Sequence, residues 1–139
     1  MKLYCLVNRS LSPIQKGIQA AHAIAELSLN NLARKDYKKW AKKYKTIVIL
    51  DGGSSRSQPS NLGDLEKYCD FLFKNGIIYE PFWEENLDSC LTAVAFILPE
   101  EFYMDYSEID CYPDFGIEEE DYDRKREVSR FIRQFRTAK

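Results

Sequence analysis

A chain of 139 residues, 45% hydrophobic and 14% aromatic, is long enough for one domain, short for two, and too apolar for disorder. No apolar run approaches the roughly 20 residues needed to span a bilayer. Met1 to Asn8 is too short for a signal peptide and lacks a small-residue cleavage site, so the chain is expected in the cytoplasm. The net charge of −2 hides strong segregation. Arg34 to Lys45 carries seven bases and one acid, Glu100 to Asp123 eleven acids and no base, and Arg124 to Lys139 seven bases and one acid. Such blocks suggest an anionic partner or internal charge pairing.

Lys2 to Val7 is apolar with little alternation, the pattern of a central strand buried on both faces. Ser12-Pro13-Ile14-Gln15 then starts a helix. Ser12 suits the cap, Pro13 the first helical position, and Gln15 closes a capping box. Ile14, Ile18, Ala21, Ala25, Leu29 and Leu32 follow at steps of three or four and predict the buried stripe of a long helix. A basic, aromatic helix is expected from Asp36 to Tyr44.

Thr46 to Leu50 predicts a second buried strand, and Asp51 to Ser60 has the Gly/Ser/Pro chemistry of a loop. Leu62, Leu65, Cys69 and Leu72 mark a further helix, ended at Asn75-Gly76 where glycine can take a left-handed cap. Ile77 to Trp83 and Leu91 to Leu98 predict strands three and four, close enough in sequence to pair antiparallel. The acidic stretch after Pro99 reads as irregular. Val128, Phe131, Ile132 and Phe135 predict an amphipathic terminal helix.

The fold class that follows is α/β: a mixed four-stranded sheet with helices on both faces. Residues 1 to 99 are expected to form the α/β domain. Residues 100 to 139 would be an acidic segment and a basic helix, packed on it or appended to it. On that view the last sixteen residues should be dispensable for folding.

Cys5, Cys69, Cys90 and Cys111 show no C-x-x-C and no histidine at zinc spacing, so reduced, structural thiols are expected. Phosphate-loop patterns and the G-x-S-x-G elbow are missing. Gly52-Gly53-Ser54-Ser55-Arg56 follows a strand and offers backbone N–H groups to a phosphate, or is a plain connection. Gln15, Gln19, His22 and Glu26 repeat at four, three and four, a polar row beside the apolar stripe and a sensible wall for a cleft. Partly buried histidines are also common without function. Glu84, Glu85 and Asp88 fall beyond the end of strand three, where open α/β sheets bind ligands, or else make an acidic hairpin.

Leu6-Val7-Asn8-Arg9-Ser10-Leu11, followed by Lys16-Gly17-Ile18-Gln19-Ala20-Ala21-His22-Ala23, resembles the N-terminal signature of the type-two peptidyl-tRNA hydrolases. That signature is a strand ending near Asp-Leu, then Gly-Lys-x-Ala-Ala-Gln-x-x-His-Ala. Leu11, Gln19, His22 and Ala23 match. Leu91 to Pro99 resembles the family's last strand, with Thr92 as its threonine, so the resemblance covers roughly residues 1 to 99. The chain departs from the pattern at Gln15, where the family has a lysine, with Lys16 one position later. Ser10 stands in place of the early aspartate, and Glu84 in place of the aspartate after strand three.

The resemblance implies a hydrolase that cleaves the ester between a peptide and the 3′-ribose of tRNA. Glu84 or His22 would be the base and Lys16 or nearby N–H groups the electrostatic stabiliser. Gln15, Gln19, Thr92 and Asp88 would position substrate or water. No cofactor or metal is implied, and a homodimer is. Lys38, Lys39, Lys42 and Lys43 would grip the tRNA backbone, with Trp40 or Tyr37 stacking on a base; alternatively Trp40 is core and the lysines are simply solvated. Two other readings stay open. One is a catalytically silent RNA- or nucleotide-binding protein on the same fold. The other is a protein-interaction module using the acidic segment and the terminal helix.

Overall fold

Strand β1 (Lys2–Val7) organises the molecule because both of its faces are apolar. Leu3, Cys5 and Val7 point into one buried cluster, Tyr4 and Leu6 into another, all at or near zero exposure. A computed structural model describes residues 1–56, 62–107 and 119–139 of the chain. Its sheet has four strands in the order β2-β1-β4-β3, with β2 at Ile47–Asp51, β3 at Tyr79–Glu84 and β4 at Cys90–Leu98. Strand β1 pairs parallel with β2, and β4 pairs antiparallel with both β1 and β3. Strands β1, β2 and β3 therefore run the same way. Their carboxyl ends meet the start of β4 along one rim, the side on which open α/β sheets bind ligands.

Helix α1 (Pro13–Asn31) starts as its sequence predicts. Ser12 Oγ accepts from the Gln15 N–H, and Gln15 Oε1 accepts from the Ser12 N–H at 3.0 Å. The buried face is a correction. Ile14, Ile18, Ala21, Ala25, Leu29 and Leu32 all face outward, and Lys16, Gln19, Ala20, Ala23, Leu27 and Asn31 face the sheet. The reason lies in the sheet, whose opposing surface is small-sided at Cys5, Ala93 and Ala95 between larger neighbours such as Leu3 and Phe82. Ala20 and Ala23 fit such a surface closely, whereas isoleucines would hold the helix off it.

The basic segment is a short helix α2 (Lys35–Lys39) continued by a π-helical turn (Trp40–Tyr44) and closed by Lys45 in the left-handed region. Trp40 is buried and its Nε1–H donates to the Thr46 carbonyl at 2.9 Å. It belongs to the core beside α1 and is not available for base stacking.

Helix α3 (Asp64–Lys74) buries Leu65 and Leu72, while Leu62 lies before it and is exposed. Gly76, at φ +67°, follows its end as the sequence predicts. Helix α4 (Glu119–Arg133) is packed on the domain, one of the two arrangements expected for it. Val128, Phe131 and Ile132 are buried in one cluster with Leu6, Leu72 and Phe96, and Phe131 stacks on Phe71 at 4.2 Å. The terminal helix thus shares the buried cluster on the sheet face opposite α1. Beyond it, Thr137 bridges Leu50 antiparallel, so the last residues extend the sheet at the β2 edge.

Pro99 leads into a short 3₁₀ turn at Glu100–Phe102. The rest of the stretch expected to be irregular falls partly on 108–118, outside the described residues, as does Cys111. Among the described residues no helix is long and apolar enough to cross a membrane.

Candidate functional site

The carboxylate at the tip of β3 is held by α1. Gln19 Nε2 donates to Glu84 Oε2 at 3.0 Å, and the Gln19 carbonyl oxygen accepts from Thr92 Oγ1 at 2.6 Å. Thr92 Oγ1 also lies 3.3 Å from the Phe82 carbonyl. Gln19 and Thr92 are buried, so the amide has one orientation that satisfies both neighbours. The other Glu84 oxygen accepts from the Asn86 N–H at 3.3 Å, in the 3₁₀ turn Glu85–Leu87 that follows β3. The register of β3 shifts between Phe82 and Trp83, and Glu84 then pairs with Cys90.

His22 completes the group from the next turn of α1. Its ring stacks on Phe82 with centroids 4.7 Å apart and planes within 8°. The imidazole is exposed, and it lies near enough to Glu84 for its charge to favour the ionised carboxyl. The Gln19 amide and then the Asn86 N–H hold the Glu84 carboxyl below its ordinary range; burial opposes them, and His22 adds a lesser downward influence. Glu84 is thus an ionised carboxylate at neutral pH, fixed by two donors and partly open to water.

A second polar group lines the same rim at β1 and β2. Asn8 Nδ2 donates to Ser55 Oγ at 2.7 Å, and that hydroxyl is 2.8 Å from Cys90 Sγ. Arg9 pairs with Asp51 at 2.9 Å. Burial alone would raise the Asp51 carboxyl, but the Gly53 N–H and Arg9, with Lys16 adding its charge, hold it low. Gly53 sits at φ +76° between these groups, which explains a glycine in this loop. Ser54 N–H and Oγ both engage Asp64, and the Arg56 N–H engages Glu66. The Gly-Ser segment is therefore a connection tied down by α3.

The residues proposed for the site separate into two sets. Gln19, His22, Glu84 and Thr92 come together. Gln15 is engaged in the helix cap, and Asp88 is an exposed turn residue in the left-handed region. Lys16 is buried with its amine donating to the Lys139 backbone carbonyl at 2.9 Å. Its charge acts on Asp51, while the groups acting on Glu84 are Gln19, Asn86 and His22. Lys38, Lys39, Lys42 and Lys43 are exposed, and the Lys43 amine lies 5.4 Å from the Tyr44 ring centre. Phe82 and Asn86 lie in the candidate segment Phe82 to Asp88 at the end of strand three, but the sequence assigned neither a role. Phe82 carried a signal as an aromatic two residues before the carboxylate on the same strand. Asn86 acts through its backbone, which no side-chain pattern reveals.

Among the described residues no group of three or more His, Cys, Asp or Glu side chains is arranged to hold a metal ion. Compared with known proteins, the chain matches no family model and no curated protein.

Proposed function

We propose that the protein is an ester hydrolase acting on peptidyl-tRNA, a divergent relative of the type-two peptidyl-tRNA hydrolases. The observation that carries the reading is the chain Thr92–Gln19–Glu84 with His22 beside it, linking α1, β3 and β4 at the rim where ligands bind. These four residues are the ones that the resemblance marks or replaces conservatively.

In the reaction, a water held between Glu84 and His22 attacks the ester carbonyl. Its proton passes to one of these two groups. The carbonyl carbon–oxygen bond to the ribose breaks, and the 3′-oxygen takes a proton from the other group or from water. The products are a free peptide carboxyl and a tRNA 3′-hydroxyl. Gln19 keeps the carboxylate aimed, and the exposed lysines at 38, 39, 42 and 43 meet the phosphate backbone. Lys16 would stabilise the oxyanion only after releasing Lys139.

That engagement of Lys16 favours the second reading, a silent binder of RNA or a nucleotide on the same site. Peptide release from purified peptidyl-tRNA decides between them. Wild-type protein should turn over, and both Glu84→Ala and His22→Ala should lose at least about tenfold in rate, an effect of about 1.4 kcal/mol, with the fold retained. Salt-dependent tRNA binding without turnover selects the silent binder. Neither binding nor turnover overturns both.

A further inference from the structure

The rim opposite Glu84 holds a cavity of about 190 Å³. Tyr79 starts β3 there and pairs with Phe96 near the end of β4, while Glu84 and Cys90 lie at the far end of both strands. The cavity sits among the end of α1, the loop before β3 and the turn after β4. Its inner wall is apolar, with Leu27 and Phe102 buried and Ile77 and Ile97 half-buried. A dry cavity of about 150 Å³ lined by such residues binds benzene. This one therefore accepts a single ring or a branched aliphatic side chain, with polar atoms left at the mouth.

Asn31 is the unexpected member of the lining. It stands one turn after Leu27 on the face of α1 turned to the sheet, where another leucine would complete the packing, and it is only 6% exposed. Its Nδ2 donates to the Leu27 carbonyl at 2.8 Å. That contact fixes which end of the amide faces the helix, since only the NH₂ end can donate. The other end, Oδ1, accepts from no described residue, and it is reached from the cavity, not sealed in the interior. A buried acceptor without a protein donor takes one from water or from a ligand.

Two charged side chains stand at the mouth. Arg34 and Asp36 are both exposed, and neither forms an ion pair with the other or with any other described residue. Arg124 differs, because its guanidinium is already engaged. It donates to the Asn75 carbonyl and to Asp121, each at 3.2 Å, and lies 5.2 Å from the centre of the Phe102 ring. Gly76 leaves room for it, since a Cβ there would come within 3.2 Å of Arg124 Nη1. Arg124 is thus a wall of the cavity, and Arg34 and Asp36 are its unpaired charges.

We infer that this cavity binds a free hydrophobic α-amino acid, with its carboxylate on Arg34, its ammonium between Asp36 and Asn31 Oδ1, and its side chain against Leu27, Ile77, Ile97 and Phe102. One unpaired cation beside one unpaired anion matches a zwitterion. A carboxylate or phosphate without an amine would face Asp36, and an amine without a carboxylate would face Arg34. Each is a like-charge contact that selects against the wrong ligand. The ammonium is donor-only, which suits an acceptor that lacks a donor. The apolar inner wall rejects a polar side chain, whose groups would be left unpaired there. None of these residues belongs to the Glu84 group, so binding here does not depend on hydrolysis at the other rim.

Isothermal titration calorimetry on the whole chain tests the inference, with L-phenylalanine and L-leucine as probes. At least one should bind with a dissociation constant of about 1 mM or tighter. Its des-amino analogue (hydrocinnamate for phenylalanine, isocaproate for leucine) should bind at least about tenfold more weakly. Arg34→Gln and Asp36→Asn should each weaken the amino acid by about tenfold or more. Both side chains are exposed, so the circular dichroism and unfolding midpoint of these variants should match the wild type. Glu84→Ala should bind as the wild type does. Failure of both amino acids to bind at several millimolar overturns the inference, and so does an analogue as tight as the amino acid. Affinity that survives either mouth substitution, or that Glu84→Ala removes, places the ligand elsewhere and overturns it as well.

Discussion

Gln19 and Glu84, sixty-five positions apart, meet at 3.0 Å where the second turn of α1 passes the end of β3. The bond places an amide donor on a carboxylate that water can reach. It also ties the candidate site to the buried Thr92 behind it. Orientation at the rim thus depends on a side chain in the core, an arrangement that holds a reactive group in place without blocking it.

The first prediction concerns that amide. The Gln19 bond is the largest influence holding the Glu84 carboxyl low. Gln19→Leu should move its titration upward toward the ordinary carboxylate range, read by carbon-13 NMR of the glutamate carboxyls. The sign for stability follows from linkage. A carboxyl held low in the folded state stabilises it above the unfolded pKa, and this contribution disappears as pH falls through the folded value. The wild type should therefore lose stability on acidification more steeply than Gln19→Leu. An unmoved Glu84 titration would assign the shift to the Asn86 N–H instead.

Thr92→Val tests the other end of the chain. The substitution keeps the shape and removes the donor at 2.6 Å from the buried Gln19 oxygen. An acceptor left unsatisfied in the interior costs about 1–3 kcal/mol. Urea unfolding should show a loss in that range, whereas Thr92→Ser, which retains the hydroxyl, should recover part of it.

The terminal helix offers a larger effect. Phe131 packs on Phe71, Tyr68 and Phe135 within the cluster that includes Leu72 and Val128. Phe131→Ala should destabilise by about 3–5 kcal/mol, measured by the shift of the urea midpoint at constant slope. Removing residues 124–139 should abolish cooperative unfolding. A truncated chain that still melts cooperatively would mean that α3 alone covers this side of the sheet.

These elements differ in how far the sequence reveals them. Strands β1, β2 and β4 and the carboxyl end of α3 are visible because β-branched runs and an Asn-Gly stop have local causes. The buried face of α1 is not. Its larger side chains and its inward set Lys16, Gln19, Ala20, Ala23 and Leu27 share the same helical period. Hydrophobicity favours Ile14 and Ile18, and only the small residues of the opposing sheet reverse the choice. The role of α4 is hidden for a related reason. Its stripe is plain in the sequence, but the uncovered sheet face that receives it, around Tyr4, Leu6 and Phe96, exists only once the strands are paired. For the site, Gln19, His22 and Thr92 stand out by pattern and resemblance, while the partner of Lys16 is a backbone carbonyl 123 positions away that no motif records.

Lys16 gives the next prediction. Its amine, at 2.9 Å from the Lys139 carbonyl, fastens the end of the chain to α1. The same segment is bonded to β2 by the Ala138 N–H to the Ile49 carbonyl and by the Asp51 N–H to the Arg136 carbonyl. Lys16→Met keeps the buried stem and removes the donor, so stability should fall by about 1.5–3 kcal/mol, the range for hydrogen bonds to charged groups. Amide exchange at Ala138 and Asp51 should accelerate more than exchange in β4. Uniform acceleration across the sheet would show that the contact stabilises the whole domain and not a local latch.

The basic segment separates a core tryptophan from solvated lysines. Trp40 is buried and its indole N–H is bonded to the Thr46 carbonyl, which also accepts from the Leu3 N–H and so ties the start of β1 to the turn before β2. Trp40→Phe should therefore lower stability and leave any affinity for tRNA unchanged under conditions where the protein stays folded. Lys38, Lys39, Lys42 and Lys43 have the opposite character, being exposed. Replacing all four by glutamine should leave the unfolding midpoint nearly in place. If they meet phosphates, the slope of log affinity against log salt should become shallower by up to about 0.7–0.9 for each phosphate that is no longer neutralised. An unchanged slope would move the RNA-binding surface away from this segment, and the basic turns of α4 would be the next place to look.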